Sequence, residues 1–465
     1  MQHPKHSVPC GALWMALLCG LVSSPAWPAG ADSPGVLARY VAQPDSSFAW
    51  HEISRGRIGT TTYVELIMNS QTWRGIPWKH QLFLLRPANM RADTRQALLF
   101  IHGGRWKDEY ETRGVGDDLP REAALFAQLA ESVRAPLAVL RQVPFQPLFD
   151  RREDALIAFT FDQYLTTGDN DWPLLLPMVK SATRAMDVVQ SFAKERWALT
   201  IDSFVVAGAS KRGWTSWLSA AIDSRVAGVA PMVIDVLNMR EQMALQRATW
   251  GEVSEEIRDY SDLDLPGRME SDAGQQLLSI VDPYSYRERL TQPKLILLST
   301  NDRYWPLDAL KLYWQDLPEP KRVLYVANQG HGLRDADRVI GALSALHRSA
   351  ENGHPLPSLS WTFTVNARGI AIALRADHPA RRVRVWEAHS DSRDFREARW
   401  TSHGCANAQG TYACVARRER QRYTAAFAEM SFTENEPRAE HVPAFSLSTI
   451  VCIAGPASKG ASPGC

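Results

Sequence analysis

The sequence predicts an α/β fold with a mostly parallel sheet, and three observations predict it. Short apolar runs of the kind found in strands buried on both faces recur at 97–101, 136–143, 203–207, 226–235, 293–300 and 322–327. Stretches with apolar residues at helical spacing lie between them, at 121–133 and again at 178–196, where Val179, Ala182, Met186, Val189 and Phe192 share a face. Several runs also end in residues able to do chemistry: His102-Gly103-Gly104, Ser210, Asp235, Asp302 and His331. In a parallel sheet the residues that follow the strands gather at one edge.

The elements can be justified in chain order. Residues 61–73 and 80–86 alternate and are rich in strand formers, with a turn at Gly75-Ile76-Pro77 between them, so an antiparallel pair opens the fold. A longer insertion runs from Pro144 to Pro177 with a helical stretch around 154–165. A second, over 236–290, is polar and largely helical and carries Glu252, Glu255, Glu256, Asp259, Asp262 and Asp264. Such acidic runs are ordinarily solvated faces, yet its place between late strands makes it a candidate lid. A boundary follows near 352–357, closing a catalytic domain over 32–352. Beyond it, alternation at 360–374, 382–387, 423–432 and 446–453 predicts a small C-terminal β-sandwich over 358–455, ahead of a Gly/Ser/Pro-rich tail at 456–465.

Composition narrows the class. With 465 residues and a net charge of +1, the chain is globular and has no electrostatic footprint for nucleic acid. Residues 1–31 read as an export signal: Lys5 in a polar start, an apolar stretch from Gly11 to Val22, and Ala29-Gly30-Ala31 as a cleavage site. The apolar run falls short of the ~18 residues a membrane anchor needs, so a periplasmic or secreted product without a transmembrane segment is expected. Cys10 and Cys19 leave with the signal. Cys405, Cys414, Cys452 and Cys465 remain and allow three pairings; Cys405–Cys414 and Cys452–Cys465 are preferred because each closes a short Gly-rich loop. No His/Cys cluster has zinc-ligand spacing, and neither a metal nor a cofactor is expected.

The chemistry centres on Gly208-Ala209-Ser210-Lys211-Arg212-Gly213. A strand, a sharp turn with serine at its apex and a helix form the elbow of an α/β-hydrolase fold, where the turn projects the nucleophile out of the sheet. Arg212 stands where the second glycine is usual, and Gly213 comes one place late. Ser210, Asp302 and His331 follow three separate strands in the order of a hydrolase triad. His331 would take the serine proton, and Asp302 would fix its tautomer. Asp235 is the rival acid; Asp302 is preferred because Asn301-Asp302 leads through Trp305-Pro306 towards a helix. The oxyanion hole would use the backbone N–H of Lys211 with one from Gly103 or Gly104. Lys211 and Arg212 are candidate contacts for a carboxylate or for developing negative charge.

The chain resembles the PhoPQ-activated pathogenicity-related protein family. The resemblance is carried by Ser70-Gln71-Thr72-Trp73, Ile101-His102-Gly103-Gly104, Thr167-Gly168-Asp169, Trp172-Pro173, Leu176-Pro177-Met178-Val179-Lys180, the elbow through Trp214, and Asn301-Asp302. It implies a hydrolase fold and a link to envelope physiology or virulence. The elbow is also similar to that of glucuronoyl esterases, where a basic residue follows the serine. The expected function is an exported serine hydrolase acting on an ester or peptide through an acyl-enzyme. The alternative is a non-catalytic binding or host-interaction protein on the same scaffold, an option that Arg212 keeps open.

Overall fold

The computed structural model describes residues 35–112, 119–433 and 443–457, together with Met1 and Cys465. Of the export segment expected over 1–31, all but Met1 lies outside the described residues, as do residues 458–464 of the expected tail. No described helix is long and apolar enough to cross a membrane.

Strands β1 (Ala49–Ile58), β2 (Thr61–Trp73) and β3 (Ile76–Arg86) form an antiparallel meander, of which β2 and β3 are the expected opening pair. The buried runs become β4 (Gln96–Ile101), β5 (Leu137–Leu140), β6 (Ser203–Ala209), β7 (Val226–Met232), β8 (Lys294–Ser299) and β9 (Lys321–Val326). Their order in the sheet is β1-β2-β3-β5-β4-β6-β7-β8-β9. Pairing is parallel from β5 to β9 and antiparallel outside that block. The sheet is therefore mixed rather than mostly parallel. Hairpins join strands with two or three residues, whereas each parallel step needs a crossover, so the long connections fall within the central block.

Period-two alternation divides the central strands between two cores. In β6, Phe204 and Val206 face one cluster while Val205 and Ala207 face the other; in β8, Ile296 and Leu298 oppose Leu295 and Leu297. Both sets are buried, which is why these strands read as unbroken apolar runs. Helices Leu175–Trp197 and Lys211–Ile222 cover the first face, and Ala123–Val133 with Ala336–Asn352 cover the second.

The C-terminal strands are β10 (Leu359–Val365), β11 (Gly369–Ala376), β12 (Arg382–Ser390), β13 (Thr401–Gly404), β14 (Ala406–Ala408), β15 (Thr411–Arg417), β16 (Tyr423–Phe432), β17 (Phe445–Ser448) and β18 (Cys452–Ala454). They do not stand apart as a closed sandwich. Ser448 of β17 pairs with Val323 of β9, and β16, β12 and β13 continue from there, giving a 14-stranded sheet. A separate 4-stranded sheet, β10-β11-β15-β14, packs on this extension: Ile370, Ile372 and Ala416 share a core with Ala426, Ala428 and Met430. Joining β17 to β9 covers an edge whose N–H and C=O groups would otherwise be open. Disulfides link Cys405 to Cys414 and Cys452 to Cys465, the pairing expected from loop length.

Candidate active site

Ser210 lies between β6 and helix Lys211–Ile222 with φ 57° and ψ −132°, a backbone conformation unusual for a residue with a side chain. Two hydrogen bonds hold the turn. The Ser210 N–H donates to Met232 O at 2.8 Å, and the Trp214 N–H donates to Ser210 O at 3.0 Å. The elbow also requires close contact between strand and helix. A Cβ on Gly208 would lie 2.6 Å from Arg212 O, and one on Gly213 would lie 2.8 Å from Gly208 O and 2.7 Å from Ile234 Cγ2. Gly213, one place late in sequence, thus does the work of the usual second glycine.

Arg212 is thereby free to turn its side chain away from the elbow core. Its Nε donates to Val143 O at 2.5 Å and its Nη2 to Glu153 Oε1 at 2.8 Å. Gln146 completes the circuit by donating from Nε2 to Gly104 O at 2.8 Å and to Glu153 Oε1 at 2.5 Å. Burial alone would push the Glu153 carboxyl up, but the Arg212 guanidinium and the Lys211 ammonium hold it down at about 2. Lys211 is itself buried, with Nζ 3.0 Å from Glu153 Oε2 and 2.9 Å from Asp154 Oδ2. Tyr260 donates to Asp154 Oδ1 at 3.0 Å. Both cations therefore face partners within the chain. Neither Glu153 nor Asp154 was singled out from sequence; they open a helix (Glu153–Thr167) in ordinary first-turn positions, and no local pattern marks partners nearly 60 residues away.

Asp302 and His331 follow β8 and β9, and their loops are stitched together. The Asn301 N–H donates to Gln329 O at 3.0 Å, and the Asn328 N–H to Thr300 Oγ1 at 2.9 Å. His331 Nδ1 lies 2.9 Å from Asp302 Oδ2 and 3.1 Å from Oδ1, the geometry of a donated ring proton. The Tyr304 N–H also donates to Asp302 Oδ1, at 2.9 Å, and the Tyr304 ring lies against the imidazole, tilted by 30° with centroids 4.2 Å apart. With Nδ1 donating, Nε2 is the acceptor nitrogen; it is buried and has no hydrogen-bond partner among the described residues.

Ser210, Lys211 and His331 line one cavity of about 840 Å³, part of it open to solvent. Gly103 and Gly104 do not line it. Gly103 instead abuts the Arg212 guanidinium, while Gly104, at φ 129°, has its carbonyl held by Gln146. The 236–290 insertion contributes the cavity's opposite wall, including Met239, Met243 and Tyr260.

Asp235 is placed differently from Asp302. It is buried, accepts a hydrogen bond from Tyr313 Oη at 2.5 Å, and makes no contact with His331. Burial, with the negative charges of Asp302 and Asp308 beside it, pushes its carboxyl up to about 7. No group of His, Cys, Asp and Glu among the described residues is arranged to hold a metal.

The model of the PhoPQ-activated pathogenicity-related protein family matches residues 37–396. The chain belongs to this family. It is similar to autocrine proliferation repressor protein A of Dictyostelium discoideum, at 30% identity over 382 residues, covering 77% of this chain and 75% of that protein. Among solved structures it is similar to an acetyl xylan esterase from Paenibacillus sp. R4, at 14% identity and a TM-score of 0.46, covering 66% of this chain and 90% of that one. A glucuronoyl esterase from Solibacter usitatus is also similar, at 14% identity and a TM-score of 0.38, covering 68% and 91%. The family match extends past Asp302 and His331 to beyond β12, so it spans all the elements that carry the site.

Proposed function

We propose that this PhoPQ-activated pathogenicity-related family member is an exported serine hydrolase that cleaves esters through an acyl-enzyme on Ser210. The supporting observation is the hydrogen-bonded Asp302–His331 pair, whose unpartnered Nε2 belongs to the residue that shares a cavity with Ser210. In this reading His331 accepts the Ser210 proton as Oγ attacks the carbonyl, then returns it to the departing alcohol. Asp302 keeps the imidazole in the required tautomer and stabilises the imidazolium. Water, deprotonated by the same imidazole, then releases the acid. Lys211 N–H, at the start of helix Lys211–Ile222, would meet the oxyanion.

An ester is favoured over a peptide with a free amine. Such a peptide calls for an uncommitted carboxylate on the cavity wall, but the two there, Asp154 and Glu270, are paired with Lys211 and with Arg240. Export rests on the 1–31 signal pattern and suits two disulfides. Hydrolysis of p-nitrophenyl esters by the wild type and by Ser210→Ala, His331→Ala and Asp302→Asn tests the reading. Activity lost in all three folded variants supports it; activity retained in Ser210→Ala refutes it.

A further inference from the structure

The cavity beside Ser210 has a chemistry of its own. Phe161, Trp214 and Ile234 form its inner wall, and the insertion closes it with Met239, Met243 and Met269. Methionine side chains are unbranched and polarizable, so they adapt to flexible apolar chains of varied shape. The charged groups on the wall are already engaged. Asp154 is held by Lys211 and Tyr260, while Arg240 and Glu270 pair with each other at 2.9 Å, each more than half exposed at the rim. A charged substrate group would compete with these pairs for its partner, whereas an aliphatic chain needs only to displace water.

We infer that the cavity selects the acyl part of the substrate, and that this part is an aliphatic chain of medium length or longer rather than acetyl or a sugar acid. The inference rests on Ser210 being the nucleophile. The acyl group must stay bound through both attack and hydrolysis, while the leaving alcohol must depart, so the apolar wall suits the former. The insertion over 236–290 is then a specificity element: most of the cavity's apolar side chains come from it.

A series of fluorophosphonates with ethyl, butyl, octyl and dodecyl chains tests this, together with a reagent carrying an oligoether chain of octyl length. The rate of Ser210 labelling is followed by intact mass. Labelling is expected to rise roughly fourfold per methylene until the cavity is full. The oligoether reagent should gain little over ethyl. Met243→Glu should flatten the slope, read as the octyl-to-ethyl ratio so that any change in overall reactivity cancels. A flat or falling series with Ser210 still labelled overturns the inference while leaving the hydrolase reading intact; an equal gain from the oligoether chain does the same. Failure of every reagent to label Ser210 on folded protein overturns both.

Discussion

Gly103 and Arg212 are in contact across the elbow: a Cβ on Gly103 would fall 2.5 Å from Arg212 Nη2 and 2.6 Å from its Cζ. The glycine that follows His102 is thus matched to a side chain two residues beyond the elbow serine. Through Glu153 and Gln146 the same guanidinium also reaches the Gly104 carbonyl.

Gly103→Ala should therefore displace Arg212 and loosen the turn. We expect a loss of about 1–3 kcal/mol in stability, typical of overpacking, and at least a tenfold fall in kcat for ester hydrolysis. Adding Arg212→Ala should remove the clash, so the double variant should be more stable than the sum of the single effects predicts. Chemical denaturation of the four proteins in the cycle measures this coupling.

The two carboxylates should separate cleanly. Asp302→Asn cannot hold the Nδ1–H tautomer and should lower kcat by on the order of 10³–10⁴ with its fold intact. Asp235→Asn, which has no contact with His331, should stay within about threefold of the wild type. Steady-state kinetics alongside circular dichroism checks both.

Asp235 should also leave a mark on the pH dependence of stability. Its carboxyl is raised to about 7 when folded, against ~3.9 unfolded, so the native state holds the proton more tightly. That contribution is complete below about pH 4 and is lost as pH rises through 7. Asn is a neutral acceptor for the Tyr313 hydroxyl at every pH. Denaturant midpoints of Asp235→Asn and wild type should accordingly lie close together near pH 4 and diverge in favour of the variant by pH 8.

The disulfide between Cys405 and Cys414 ties the β13–β14 edge to β15, far from Ser210 in the sheet order. Replacing both cysteines with serine should cost about 2–3 kcal/mol, as for a short closed loop. Ester hydrolysis at 25 °C should be unaffected. Thermal melting and initial rates report the two quantities separately.

Much of this was legible in the residues because the signals were local. Buried parallel strands announce themselves as apolar runs, and the chain order Ser210, Asp302, His331 needs only those strands to converge. The disulfides followed from loop length. What was not legible depends on contacts distant in sequence. Arg212 read as a flaw in the elbow because only the fold shows Gly213 against Gly208 O and Glu153 against the guanidinium. Residues 401–417 give no clear strand signal: β13 and β14 are short, largely exposed and lack bulky apolar residues, and are held by pairing with neighbours rather than by their own pattern. The C-terminal strands alternate as a sandwich would, and alternation alone does not say that β17 continues the central sheet at β9.

The central claim is that Ser210 is a nucleophile activated by His331. Peptide mapping after treatment with an alkyl fluorophosphonate tests it most directly. The wild type should carry a phosphonyl adduct on Ser210, and folded Ser210→Ala and His331→Ala should lack it. An unlabelled Ser210 in the folded wild type, or an adduct on another residue that accounts for the hydrolysis, would contradict it.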